Sequence, residues 1–229
     1  MPSCISVSVC LLAAAATCTA VEVADLRFGL GVAPMPDKSS GTWTATGSTT
    51  PVSDVTTFAG RAGLGFTVSG TIGTLEPVGL LFGAEGRYSV GEAGINSETV
   101  NGVSIDLSTI PESTYTEADA VLHAGVGWAI TERAHFELLG LIGLAYVTID
   151  SPANIFTSNQ STQQGQGNGT IVGARGGWYY TFESRWQLGL EAEWTRTSAD
   201  ITTNYIDGHL NTTIETAGAS ARAVLGYRF

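Results

Sequence analysis

Cysteine is nearly missing from this chain: of 229 residues only Cys4, Cys10 and Cys18 carry a thiol, all within the first twenty. Lysine occurs once, at Lys38, so nine arginines supply the remaining positive charge. Charged residues make up 14% of the chain, against roughly a quarter in soluble domains. No run of 18 or more apolar residues occurs, which excludes a helical membrane span. With 21 acidic and 10 basic residues, a formal charge of −11 and no basic cluster, the composition argues against nucleic-acid binding. Low charge combined with 43% hydrophobic residues argues against disorder.

The amino terminus differs from everything after it. Ile5 to Thr17 is an apolar run that ends in Cys18-Thr19-Ala20, with small side chains at the two positions a signal peptidase inspects. Residues 1–20 therefore read as a secretory signal peptide cut after Ala20; the bland alternative is a buried core helix. No Lys or Arg precedes the run, a departure from the usual signal pattern. The mature chain, 21–229, would contain no cysteine, hence neither disulfides nor a thiol nucleophile.

From Asp25 onward the dominant signal is period-two alternation, the mark of strands with two unlike faces. Eight segments show it: 25–33, 55–68, 78–90, 115–130, 134–149, 170–182, 186–199 and 215–229. Prolines fall between them, as strand ladders require. Connections 34–54, 91–114, 150–169 and 200–214 are long and polar, 131–133 and 183–185 are tight turns, and 69–77 is intermediate. Long loops at one end and short turns at the other predict an all-β, eight-stranded antiparallel up-and-down transmembrane β-barrel, one domain over 21–229.

A soluble lipocalin-like barrel has the same two faces turned the other way. The polar face carries Arg27, Arg61, Glu85, Arg87, Glu117, Asp119, Glu137, Arg175, Glu191, Glu193 and Arg222. These near-balanced charges, arginine rather than lysine, suit an enclosed ladder of bidentate pairs. Glycines concentrate on that same face, making room inside a narrow cylinder. On the apolar face, Phe66, Trp128, Phe136, Trp178, Tyr180, Phe182, Trp186, Tyr227 and Phe229 are expected near the short turns. Tyr88, Tyr146 and Trp194 are expected near the long loops, with aliphatic residues between. Two aromatic belts around an aliphatic band fit the two interfaces of a membrane. The stretch Leu139–Leu144 is apolar on both faces, so a bulge there would swap inside and outside.

The chain closes with Ala221, Ala223, Leu225, Tyr227 and Phe229 on one face. This terminal strand resembles that of bacterial outer-membrane barrels, and the whole of 21–229 is similar in architecture to the small OmpA-like or opacity-type outer-membrane β-barrel proteins, a porin-family label. The resemblance implies insertion by the barrel-assembly machinery, which reads the terminal strand, and contact with lipid bilayer and lipopolysaccharide.

Catalytic chemistry has thin support. Glu117, Asp119 and His123 share a face with Glu137 next door, a set that either binds a metal or completes the charge ladder; the ladder is favoured. Glu191 and Glu193 side by side suggest no sugar cleft in so narrow a cylinder. A lipid A-modifying enzyme needs a histidine beside a nucleophilic serine, and His123, His135 and His209 have no such neighbour in a matching motif. The long loops carry nine acidic residues, Asp54 and Glu98 among them, against Lys38 alone, and Trp43, Ile155, Phe156 and Tyr205 are the apolar residues there best placed to touch a surface ligand. The expectation is a monomeric, non-enzymatic outer-membrane barrel without cofactor, acting in envelope integrity or adhesion; a small porin-like channel is the alternative.

Overall fold

The computed structural model describes residues 23–59, 62–75, 78–106, 113–151, 163–205 and 208–229; residues 1–20, expected to be a signal peptide, lie outside them. The described residues form eleven strand segments: β1 (Val23–Pro34), β2 (Lys38–Ala45), β3 (Val52–Ala59), β4 (Ala62–Gly73), β5 (Gly79–Val100), β6 (Val103–Asp106), β7 (Ser113–Ala129), β8 (Ala134–Ser151), β9 (Gln163–Thr181), β10 (Trp186–Tyr205) and β11 (Gly208–Arg228). All pairings are antiparallel, and the ring β1–β4–β5–β7–β8–β9–β10–β11 closes through the β1–β11 and β5–β7 ladders.

The ring continues above the first turn of the barrel with a change of partners. The chain is interrupted after Pro34, and β2 takes over from β1 as the neighbour of β11: Val32 pairs with Ala221, Lys38 with Glu215. In the same way β3 replaces β4 beside β5. The first two barrel strands are thus each built in two pieces, β1 with β2 and β3 with β4. Prolines at 34 and 36 account for the first break, since neither has an amide to give to a ladder.

This corrects two expectations. The segment 55–68 is not one strand; it straddles β3 and β4, and β4 runs on to Gly73, with β5 beginning at Gly79. The long polar connections are mostly not loops. β5 reaches 22 residues and β11 reaches 21, about twice the ~9–11 that cross a hydrocarbon core. Threonine and valine propensity, without a strong hydrophobic contrast, carries these ribbons outward. β6 folds back on β5 through Asn101-Gly102, both at positive φ (49° and 84°), the two-residue hairpin that this dipeptide favours.

At the opposite end the turns are short. In the first, Thr131 Oγ1 accepts from the amides of Arg133 and Ala134. In the second, Arg185 adopts φ 67°. The stretch 139–144 alternates without a bulge: Leu139 and Leu141 point in, Leu138, Ile142 and Leu144 out, so Glu137 sets its parity.

Candidate functional site: the filled lumen and the lipid-facing wall

The lumen is stratified. Nearest the short turns, Val23, Leu75, Leu81 and Leu139 form a small apolar cap. Beside it Arg27 grips Glu137 with both nitrogens, at 2.6 and 2.7 Å, and reaches Asp25 at 2.7 Å. Arg228 meets Asp25 from the other side at 2.8 and 2.9 Å, and Gln187 adds a bond at 3.1 Å. The Tyr179 ring lies 3.9 Å from the Arg27 guanidinium and stacks on His135 at 5.0 Å.

A second knot lies in mid-barrel. Glu85 accepts from Arg87 and Arg175, Arg222 holds both Glu191 and Glu193, and Arg87 clasps Glu193 with two bonds at 3.0 and 2.9 Å. Tyr179 donates to Glu191 at 2.5 Å. Side chains here are essentially dry, so each ion needs its partners: an isolated buried charge costs several kcal/mol. Glycine supplies the space. A Cβ on Gly226 would meet Arg27 Cγ at 3.0 Å, and one on Gly29 would meet Arg222 Cδ at 3.0 Å.

Higher still, Glu117 accepts from Tyr115 at 2.5 Å and Thr197 at 2.6 Å. Above it the interior turns greasy: Met35, Phe58, Ala93, Tyr115, Val147, Ile149, Ala199, Ile201 and Ile214 pack together across the ring. The mid-barrel cavity bordered by Arg87, Glu117, Asp119 and Glu193 measures about 40 Å³, room for a water or so.

Ten of the eleven ladder residues therefore face the lumen, nine of them held by the ion pairs and hydrogen bonds above; Asp119 stands beside Glu117 with its Oδ1 unpartnered among the described residues, and Arg61 lies outside them. Sequence reading missed Asp25, Arg228, Gln187, Tyr115, Tyr179 and His135 as interior groups. Parity was the available signal: each stands an even number of positions from a recognised inward residue on its own strand. The suspected metal set does not converge, because His123 bonds Thr71 at 3.1 Å while Glu137 is taken by Arg27. Asp25, His135 and Glu137 do bring ligand atoms within 4.8 Å of one another, but the guanidinium groups of Arg27 and Arg228 already hold both carboxylates.

The outer wall is apolar. Phe28, Leu64, Phe82, Leu122, Leu138, Ile142, Leu188 and Leu190 are all exposed. Rings touch along the short-turn rim, Trp128 with Phe136 (4.8 Å), Tyr180 with Phe182 (5.1 Å), Trp186 with Tyr227 (5.6 Å), Tyr227 with Phe229 (5.3 Å). Phe66 does not belong there: it pairs directly with Tyr88, on the opposite belt. In the terminal strand Leu225 and Phe229 face outward, and the Phe229 amide closes onto Ala24. Of the surface-contact candidates, Trp43 is buried inside the ring at 5% exposure. Its inward register beside Gly41 overrides its place in a polar segment. Ile155, Phe156 and the side chain of Tyr205 lie outside the described residues. Asp54 and Glu98, counted with the acidic loops, also point inward.

Charge inside and grease outside form the inverse of a soluble fold. With the described strands hydrogen-bonded into a closed ring, this is the architecture of a transmembrane β-barrel of the bacterial outer-membrane kind. No family model and no curated protein matches the chain. Among solved structures it is similar to Neisserial surface protein A (9% identity over 91% of this chain and 99% of that one, TM-score 0.47). It is also similar to the outer membrane protein OprG from Pseudomonas aeruginosa (14%, 90% and 96%, TM-score 0.47) and to the outer membrane protease OmpT from Escherichia coli (8%, 93% and 99%, TM-score 0.45). The likeness is one of overall architecture.

Proposed function

We propose that this protein is a closed, monomeric outer-membrane barrel with a structural and surface-presenting role, without catalysis. The observation that carries the reading is the filled lumen: among the described residues, two ionic knots and a cross-ring apolar cluster occupy the interior. Channels of useful width use about 16 strands. The barrel instead carries its β-ribbons well past the girdle formed by Tyr88, Tyr146 and Trp194. It raises a strand-built crown in which Asp37, Glu92 and Asp200 are exposed. Such a crown suits contact with a surface ligand or with cation-bridged lipopolysaccharide, and the outward Leu225-Tyr227-Phe229 edge suits handling by the assembly machinery.

The test is reconstitution into planar bilayers. Silence is expected; stable conductance steps of porin size would refute a closed lumen and favour the small-channel alternative.

A further inference from the structure

At the outer end of the barrel, well clear of the membrane, Asp54 on β3 and Glu98 on β5 face inward and hydrogen-bond each other, at 2% and 5% exposure. Glu98 lies ten positions beyond Tyr88 on the same strand, ~33 Å of chain at ~3.3 Å per residue. Neither carboxyl has a basic partner among the described residues. Most acidic groups of the lower lumen have an arginine or a hydroxyl in that place, Asp119 beside Glu117 being the exception.

A third inward oxygen lies on the same row. Thr212 on β11 is 8% exposed, and its hydroxyl has no hydrogen-bond partner among the described residues; the same is true of Asp54 Oδ1. The register puts the two on one row, Asp54 opposite Gly41 and Gly41 opposite Thr212. Gly41 has no side chain to separate them. A Cβ there would meet Thr212 Cα at 2.6 Å and Cβ at 2.7 Å, so β11 packs closely against the glycine on the row that Asp54 shares.

We propose that Asp54, Glu98 and Thr212 form a binding site for a hard divalent cation of the Ca²⁺ type. Carboxylate and hydroxyl oxygens are the ligands such ions select, and water completes the shell from the exposed rim at 46–51 and 101–104. A buried oxygen with no donor is costly when left unpaired; an ion satisfies all three groups at once. Without it, the carboxyl pair keeps a proton. Burial and the hydrogen bond and charge of Asp54 push Glu98 up to about 8, and burial raises Asp54 above the usual carboxylate range. Cation binding at neutral pH therefore expels that proton. The site is independent of whether the lumen conducts.

The experiment is calorimetric titration of CaCl₂ into the folded barrel, in zwitterionic micelles free of lipopolysaccharide, at pH 7 in two buffers of different ionisation heat. Saturable uptake of one ion per chain is expected, with a dissociation constant of about 10⁻⁴–10⁻³ M as in extracellular modules and release of up to one proton per ion. The D54N/E98Q double variant should lose the binding, and Thr212→Val should weaken it several-fold. Thr212→Val leaves the carboxyl pair intact, so it keeps the test decisive if the double variant fails to fold. No saturable heat in the unaltered protein would overturn the proposal, as would binding that survives these substitutions unchanged.

Discussion

Placing an arginine at Leu190 measures directly which way the wall faces. On β10 the outward residues run Trp186, Leu188, Leu190, Ala192, Trp194 and Arg196. The two tryptophans are eight residues apart, ~26 Å along a strand at ~3.3 Å per residue. Tilted by about 40°, that span gives ~20 Å across the membrane, close to the ~25 Å apolar band of such barrels. Leu190 sits four residues from either ring and is 64% exposed, so it meets the hydrocarbon near its midplane. An arginine there should cost about 2–4 kcal/mol, a shift of roughly 30- to 700-fold in the folded-to-unfolded ratio at 1.4 kcal/mol per tenfold. The native chain supplies the control: Arg196, just past Trp194, is already exposed and paired with Glu215 at 3.4 Å. Ser198→Arg should therefore be nearly neutral, about 0–1 kcal/mol. Urea-driven unfolding and refolding in phospholipid vesicles, followed by the mobility difference between heated and unheated samples on gels, reads both. If Leu190→Arg inserts and unfolds like the unaltered protein, the wall does not face lipid and the reasoning fails.

Three further outcomes follow from the interior, the rim and the terminal strand. Glu85→Gln removes the charge that Arg87 and Arg175 share; stranding buried arginines should cost about 3–5 kcal/mol, measured by the same unfolding assay, and no loss would mean water already screens that knot. At the rim, Glu98 has a folded pKa of about 8, above its unfolded value. Its stabilising share is full at pH below ~4.3, declines as pH rises, and is gone above about 8. Amide exchange along β3 and the outer part of β5, compared with Glu98→Gln at each pH, should show the rim loosening between about pH 4.3 and 8 only in the unaltered protein. Deleting Phe229 removes the ring on Tyr227 and the amide bond to Ala24, and should slow appearance of the heat-modifiable form in the outer-membrane fraction; an unchanged rate would count against a role of that residue in assembly.

Much of the wall was legible because membrane and lumen impose opposite chemistry on alternate residues. Wherever Arg or Glu alternates with Leu or Val, as along 186–194 and 219–229, period and parity fix both the strand and its facing. Legibility fails outside the membrane, where both faces of a ribbon are polar or small. In 200–214, Thr and Asn alternate with Thr and Ile, and nothing marks a strand until the neighbouring ladder supplies its hydrogen bonds. The two-piece nature of the first strands was hidden for a related reason: 55–68 keeps its alternation through a change of partner that only the register reveals. Trp43 and the Asp54–Glu98 pair were assigned to the surface because they lie in polar sequence. Their burial is set by β2 and β3 joining the ring, a long-range event with no local signature.

The layering of the interior governs how the protein answers to brine. The central members of its ionic knots, Asp25, Arg27, Glu85, Glu137 and Arg175, are buried, so dissolved ions have little access to weaken their attraction. Screening acts on charges in contact with electrolyte, which here means rim pairs such as Arg133 with Glu183 and Arg196 with Glu215. The interior is therefore expected to answer to salinity far less than this fringe does.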